Sequence, residues 1–285
     1  MRRFLRHLWR IATAPFRLMA RPFRAFGRFL NHEPEEIGTA DSLRRTLENP
    51  SALIEHLQAL RGHLLRGLIA LGLATALSFA FATQILDWMA QPVGGIEALQ
   101  AIEVTESIGA FMRVSLLTGL TLALPYLILE VFAFVNPGLR RRERIMLLVL
   151  IPVGGLMFAV GLLFARYVML PVAVPFLTSF MGITTVPRPA NYIHFVTTVM
   201  FWVGVAFEFP LLMFALATLG LVDARTMRRG WKVALVVIAI AAALITPTPD
   251  PVNMALLMAP LIGLYLLGIA FAALAGRGRR KRKEG

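Results

Sequence analysis

Long apolar runs alternate along this chain with short polar segments rich in arginine. Runs at roughly 65–87, 109–135, 145–169, 193–219, 231–246 and 253–274 predict six membrane-crossing helices, making this an all-α polytopic membrane protein. The fifth run is short. From Trp231 to Thr246 it rises about 24 Å as a helix against roughly 30 Å of hydrocarbon, so it needs a thinned bilayer or partners. Prolines at 125, 152, 210 and 260 fall inside four of the other runs and predict kinks whose freed carbonyls need neighbours.

Ahead of the first run the pattern changes twice. In residues 1–30, Arg3, Arg10, Arg17 and Arg24 recur seven apart with Arg21 and Arg28 beside them, opposite Leu5, Trp9, Phe16, Met19, Phe23, Phe26 and Leu30. This is a basic amphipathic extension suited to an anionic membrane surface, broken into short helical pieces by Pro15 and Pro22. Residues 31–50 form a polar linker with Glu33, Glu35, Glu36 and Asp41. Asn49 can then cap a helix, Pro50 suits its first position, and Leu53, Leu57, Leu60 and Leu64 share one face. Residues 51–274 form the six-span domain and 275–285 a basic cytoplasmic tail.

Composition agrees: 58% of residues are hydrophobic and 16% charged, and mean hydropathy is +0.71. The net charge of +13 would suit nucleic acid if it lined one soluble face, but it is sorted by loop. Eleven arginines precede or include Arg61, Arg140, Arg141, Arg142 and Arg144 follow the second run, Arg225, Arg228, Arg229 and Lys232 follow the fourth, and six basic residues lie between Arg277 and Lys283. Residues 88–112 and 247–252 have none, and the remaining loop has Arg166 and Arg188. Both termini are therefore expected in the cytoplasm, and no nucleic-acid partner is expected.

Zero cysteines exclude disulfides, thiolate zinc and a cysteine nucleophile. The five histidines are scattered without ligand spacing, and there is no phosphate-binding glycine loop, G-x-S-x-G elbow or H-E-x-x-H. Neither an enzyme nor a cofactor or metal is expected. What remains is a few polar residues set against the membrane: Glu106 and Arg113 at the outer end of the second run, Glu130 inside it, Glu143 in a basic loop, Glu208 in the fourth run and Asp250 in the last outer hairpin. Arg113 can equally snorkel as an interfacial anchor.

Glu208 is the sole ionisable residue between Phe195 and Leu219. A charge at that depth costs about 2.5 to 3.5 kcal/mol, which thirteen Leu, Val and Phe residues at roughly 0.3 to 0.6 kcal/mol each offset. The run inserts, but Glu208 should face protein or a polar recess. It serves a function there or a packing hydrogen bond to a neighbouring helix.

Five motifs give the chain a resemblance over about residues 51–273. They are His56-Leu57-Gln58-Ala59-Leu60-Arg61, Thr105-Glu106 leading to Arg113, Phe134-Val135-Asn136-Pro137-Gly138-Leu139 followed by Glu143-Arg144, Phe207-Glu208-Phe209-Pro210, and Thr246-Pro247-Thr248-Pro249-Asp250 with Pro260 and Leu264-Tyr265. They are similar to H-L-x-E-L-R, T-E, F-x-x-P-G-L with E-R, F-E-x-P, and T-P-x-x-D with L-Y in the TatC family, the polytopic core of the twin-arginine protein translocase.

The resemblance implies a receptor for twin-arginine signal peptides of folded cargo, powered by the protonmotive force. It also implies TatA-type and TatB-type single-span partners, a homo-oligomeric receptor complex, and contact with lipids of a prokaryotic plasma membrane. Adjacent guanidiniums are best met by carboxylates, so Glu143, with Arg61, His56, Glu55 and Phe134, is expected to bind the signal. Glu208, Asp250 and Tyr265 are expected to receive partner helices, and Glu106 and Arg113 to be polar residues of the outer face.

Two departures matter. The acid of H-L-x-E-L-R is Ala59, for which Glu55 one turn earlier can substitute, and the Glu that often follows L-Y is Leu266. A proton-coupled small-solute transporter titrating at Glu208 is the alternative, although the halves show no internal repeat. A plain membrane scaffold is the third possibility. A topology reporter fused after Pro92 should report from outside the membrane; a cytoplasmic signal would overturn the orientation.

Overall fold

The computed structural model describes residues 50–135, 141–179, 182, 185–246 and 251–281. The expected N-terminal extension, most of the linker and Asp250 lie outside them, as do residues 136–140. Ten helices carry the described residues. They are α1 (Pro50–Ser78), α2 (Ala82–Ala90), α3 (Glu106–Val135), α4 (Arg141–Phe164), α5 (Leu170–Thr178), α6 (Pro189–Phe207), α7 (Phe209–Leu219), α8 (Ala224–Arg229), α9 (Trp231–Ile245) and α10 (Pro251–Lys281). Among the described residues, five spans are long and apolar enough to cross a membrane: Leu57–Ser78, Glu106–Phe134, Leu148–Thr178, Pro189–Leu219 and Pro251–Gly276. The 15 residues of α9 form a shorter apolar helix.

Hydropathy misplaced the first span. It was expected over 65–87, whereas α1 begins at Pro50, ends at Ser78, and turns through 79–81 into α2. The break lies where Ser78, fully buried, donates its hydroxyl to Thr75 O and Ser115 O, both at 2.7 Å. Both sides of the turn are apolar, so hydropathy does not register it. Downstream, α2 buries Ala82, Met89 and Ala90 and belongs to the core instead of spanning. The basic tail is also partly helical, since α10 continues past 274 to Lys281.

The proline expectations resolve in different ways. Pro125, Pro152 and Pro260 lie within continuous helices. Pro210 coincides with a break: α6 ends at Phe207, α7 starts at Phe209, and the Glu208 N–H turns back to Val205 O at 3.1 Å. A missing N–H and a ring that crowds the preceding carbonyl account for it. The third span, expected to stop near 169, continues to Thr178 through a π turn at Ala165–Met169. There the Leu170 N–H reaches Ala165 O, just before Pro171, which has no N–H to continue the ladder.

That wider turn sets the buried Arg166 against α2. Its guanidinium donates to Trp88 O at 3.1 and 2.8 Å and to Gln91 Oε1 at 3.0 Å, and lies 5.1 Å from the Trp88 ring centre. Carbonyls and an aromatic face thus meet a charge that burial would otherwise disfavour.

The main core gathers α2, α3, the π turn, α5, α6, the end of α9 and the start of α10 around Val114, Ile193, Val196, Met200 and Leu257. A second cluster, at Ala217, Ala224, Met227, Ala272 and Ala275, joins α7, α8 and α10. Lipid offers apolar side chains no hydrophobic drive to associate, so small residues must let the helices approach closely. A methyl built on Gly119 would lie 2.5 Å from Thr75 Cα, and one on Gly161 would lie 2.8 Å from Gly204 Cα. The first of these contacts fixes α1 on α3 and the second fixes α4 on α6.

Replacing Gly119 with Ala should therefore lower the thermal midpoint in detergent, by about 1 to 3 kcal/mol of overpacking. Gly72→Ala, which meets open space, should not lower it. Equal midpoints for the two variants would contradict the close crossing.

Candidate functional site

α3 carries a carboxylate near each end, Glu106 and Glu130, about 36 Å apart along the helix. Each meets cations from another part of the chain. At Glu130 three side chains converge. Arg66 of α1 donates Nε to Oε1 at 3.0 Å and Nη2 to Oε2 at 3.1 Å, the Tyr126 hydroxyl donates to Oε1 at 2.5 Å, and His63 Nδ1 lies 2.6 Å from Oε2. Phe134 stacks edge-on over His63 with ring centres 6.0 Å apart. Helical spacing of three residues puts His63 and Arg66 on one face of α1, and spacing of four puts Tyr126 and Glu130 on one face of α3.

This cluster holds the start of the first span against the end of the second. It therefore positions the residues expected to bind a signal. His56 and Glu55 lie in α1 fewer than three turns before His63, and Arg61 is exposed two residues before it. Phe134 is half-buried in the cluster, and Glu143 sits in the first turn of α4. The side chains of Glu55, His56 and Glu143 are not among those described. Glu130 was visible in the sequence as an acid inside a run, but Arg66 and His63 as its partners were not. The available clue was the end of the span: Arg66 lies nearer the start of its span and Glu130 nearer the end of its own, so consecutive antiparallel spans bring both to the same end.

At the opposite end Glu106 pairs with Arg188, just before α6. Arg188 Nε donates to Oε1 at 3.0 Å, and Nη2 makes a shorter contact with the same oxygen. The Ile102 and Glu103 N–H groups also donate to that oxygen, at 3.3 and 3.1 Å. Arg188 Nη2 also reaches Glu103 Oε1 at 3.1 Å. Donating to the Glu106 and Glu103 carboxylates raises the Arg188 pKa above its ordinary value. Arg113 instead meets His194 Nδ1 on α6. Residues 106 and 113 share a face of α3 but lie about 10 Å apart along it, and Arg113 reaches across to its neighbour.

Glu208 lies at the α6–α7 break, half-buried. Its Oε1 is enclosed and has no hydrogen-bond partner among the described residues. Oε2 lies beside Gly154 of α4, where a methyl would approach to 3.1 Å, so a glycine leaves space for the carboxylate. The Tyr265 hydroxyl donates to Met227 O at 2.5 Å, tying α10 to α8. Its ring stacks near Phe209, with centres 6.2 Å apart. Tyr265 is thus committed to an internal contact.

The family model described as Sec-independent protein translocase protein (TatC) matches residues 55–260. The chain is 36% identical over 229 residues to the Sec-independent protein translocase protein TatC of Deinococcus radiodurans, covering 77% of this chain and 85% of that one. It is 33% identical to the chloroplastic protein of that name from Arabidopsis thaliana, covering 79% of this chain and 67% of the relative. A crystal structure of the twin-arginine translocase receptor TatC superposes with a TM-score of 0.67 at 27% identity, covering 77% of this chain and 99% of that one.

Arg188→Ala would leave Glu106, only 4% exposed, with no counter-charge. It should lower the thermal midpoint more than Glu103→Ala, whose carboxylate is exposed. Adding Glu106→Gln to Arg188→Ala should recover part of the loss; additive losses would refute the pairing.

Proposed function

Because the chain belongs to the TatC family of Sec-independent protein translocases, we propose that it is the signal-peptide receptor and core subunit of a twin-arginine translocase. It works in a prokaryotic plasma membrane with six spans and both termini cytoplasmic. The sixth crossing is the short α9, and the loop arginines support the orientation. Export of folded cargo draws on the protonmotive force, and no cofactor takes part.

One observation carries the recognition role. The Glu130 cluster brings the stretch from His56 to Arg61 to the end of α3, which leads into the first turn of α4 with Glu143. The two signal-reading motifs thus share one end of the bundle. A signal's paired guanidiniums need carboxylates of fork geometry there. Glu143 supplies one, with Arg61, His56, Glu55 and Phe134 around it.

Glu208 acts later, deeper in the membrane. Its enclosed oxygen without a hydrogen-bond partner suits a donor arriving on an inserted signal or a partner helix. TatA-type and TatB-type helices dock near α9 and α10, beside the Asp250 hairpin. The short α9 supports local thinning of the bilayer for cargo, and the basic N-terminal extension rests on anionic lipid. Several copies of the chain assemble in the receptor complex. No observation favours the small-solute transporter reading of Glu208, and the matched relatives carry a protein-translocase name.

Glu143→Ala should abolish binding of a twin-arginine peptide to the purified protein while leaving membrane insertion intact. Undiminished binding would remove Glu143 from the recognition surface.

A further inference from the structure

Between α1 and α3 lies an open groove of about 550 Å³, walled by Leu64, Leu68, Leu71, Leu127 and Val131, with His63 and Glu130 its polar residues. The Glu130 side chain is 11% exposed, yet the Arg66 side chain that forks onto it is 52% exposed. A buried carboxylate is therefore held by a guanidinium that is itself half in the open. If a second guanidinium took its place, Glu130 would keep an equivalent fork and no buried charge would be left uncompensated. The displaced Arg66, on its long stem, would swing to water or headgroups. Exchange is thus close to neutral, whereas removal without replacement is costly.

The groove specifies what would accompany that second guanidinium. It extends past Glu130 along α1 to Leu71, about 8 Å deeper than Arg66, and its walls there are aliphatic. A segment that presents an arginine first and an apolar run after it satisfies both features in the order in which they lie. Position 59, where the H-L-x-E-L-R pattern has its acid, is Ala on this same helix, one turn before His63.

We propose that Glu130 is a recognition carboxylate for an arginine of the incoming signal, that Arg66 occupies it as an internal stand-in until displaced, and that the groove receives the signal's apolar run. This assignment rests on the receptor reading above. It moves the replacement for the missing acid from Glu55, on the same helix, to the facing helix. Arg66 thereby sets a threshold: a ligand without fork geometry does not displace it, so a lysine pair is rejected.

The test measures binding by the full chain in detergent, using fluorescence anisotropy and two labelled peptides, Arg-Arg followed by an apolar run and its Lys-Lys counterpart. Arg66→Gln should tighten the Arg-Arg peptide about tenfold and let the Lys-Lys peptide, which the unmodified protein rejects, bind measurably, and Glu130→Gln should weaken Arg-Arg about tenfold. The double variant should match Glu130→Gln alone. Arg66→Lys keeps the charge that holds the fold but gives up the fork. It should tighten binding by a smaller factor, which decides the point even if a neutral variant unfolds. Leu68→Trp, filling the groove, should weaken the full peptide and not one truncated before its apolar run.

Unmodified protein that binds while Arg66→Gln and Arg66→Lys bind no tighter would make the cluster a clamp alone and overturn the inference without touching the receptor reading. A Leu68→Trp variant that binds normally would assign the groove to lipid and overturn that part. Failure of the unmodified protein to bind would overturn both readings.

Discussion

A carboxylate inside a bilayer must be met by donors from the protein itself, because no water is present to substitute. The three acids of the spans meet this constraint differently. Glu106 is held by Arg188 and backbone N–H groups, which joins the loop before α6 to the start of α3. Glu130 is held by Arg66, Tyr126 and His63, which joins α1 to the end of α3. Glu208 lies at the α6–α7 break and, like the second oxygen of Glu106, keeps one enclosed oxygen without a hydrogen-bond partner among the described residues. The first two acids fasten the bundle at its two ends through cations from other elements.

Because α3 carries both fastened acids, it acts as the strut against which α1, α4 and α6 are set. Glycines let the helices come close enough for these polar contacts to form. Gly119 admits Thr75 on α1, and the Gly161–Gly204 crossing brings α4 to the helix that ends beside Glu208. The Pro210 break then turns Glu208 out of a regular helix and beside Gly154. Packing and chemistry are coupled at Gly154, where a methyl would meet Ile128 of α3 at 2.5 Å and the Glu208 carboxylate at 3.1 Å, so one small residue admits both a neighbouring helix and the acid.

The sequence read well where a property is carried by each residue alone. The apolar runs, the short α9, Pro50 at a helix start and the acid at 208 all follow from local composition. It read poorly where two apolar segments meet without a polar signal, as at the 79–81 turn that ends α1 early and makes α2 a core helix. It also missed the π turn at Ala165–Met169, because a ladder shift leaves composition unchanged.

The candidate site divides along the same line. Sequence by itself determined that the chain is a multi-pass helical protein with acids at 106, 130, 143 and 208, and its motifs placed it near one family. Hydropathy and charge act residue by residue against a slab of fixed thickness, so they can be summed along a string. Which cation meets which acid was decided only by the tertiary structure. Arg188 and not Arg113 holds Glu106, and Arg66 holds Glu130 across a separation of 64 residues. Those choices depend on each helix's depth and rotation, set by glycine contacts and proline breaks between segments that are remote in the chain.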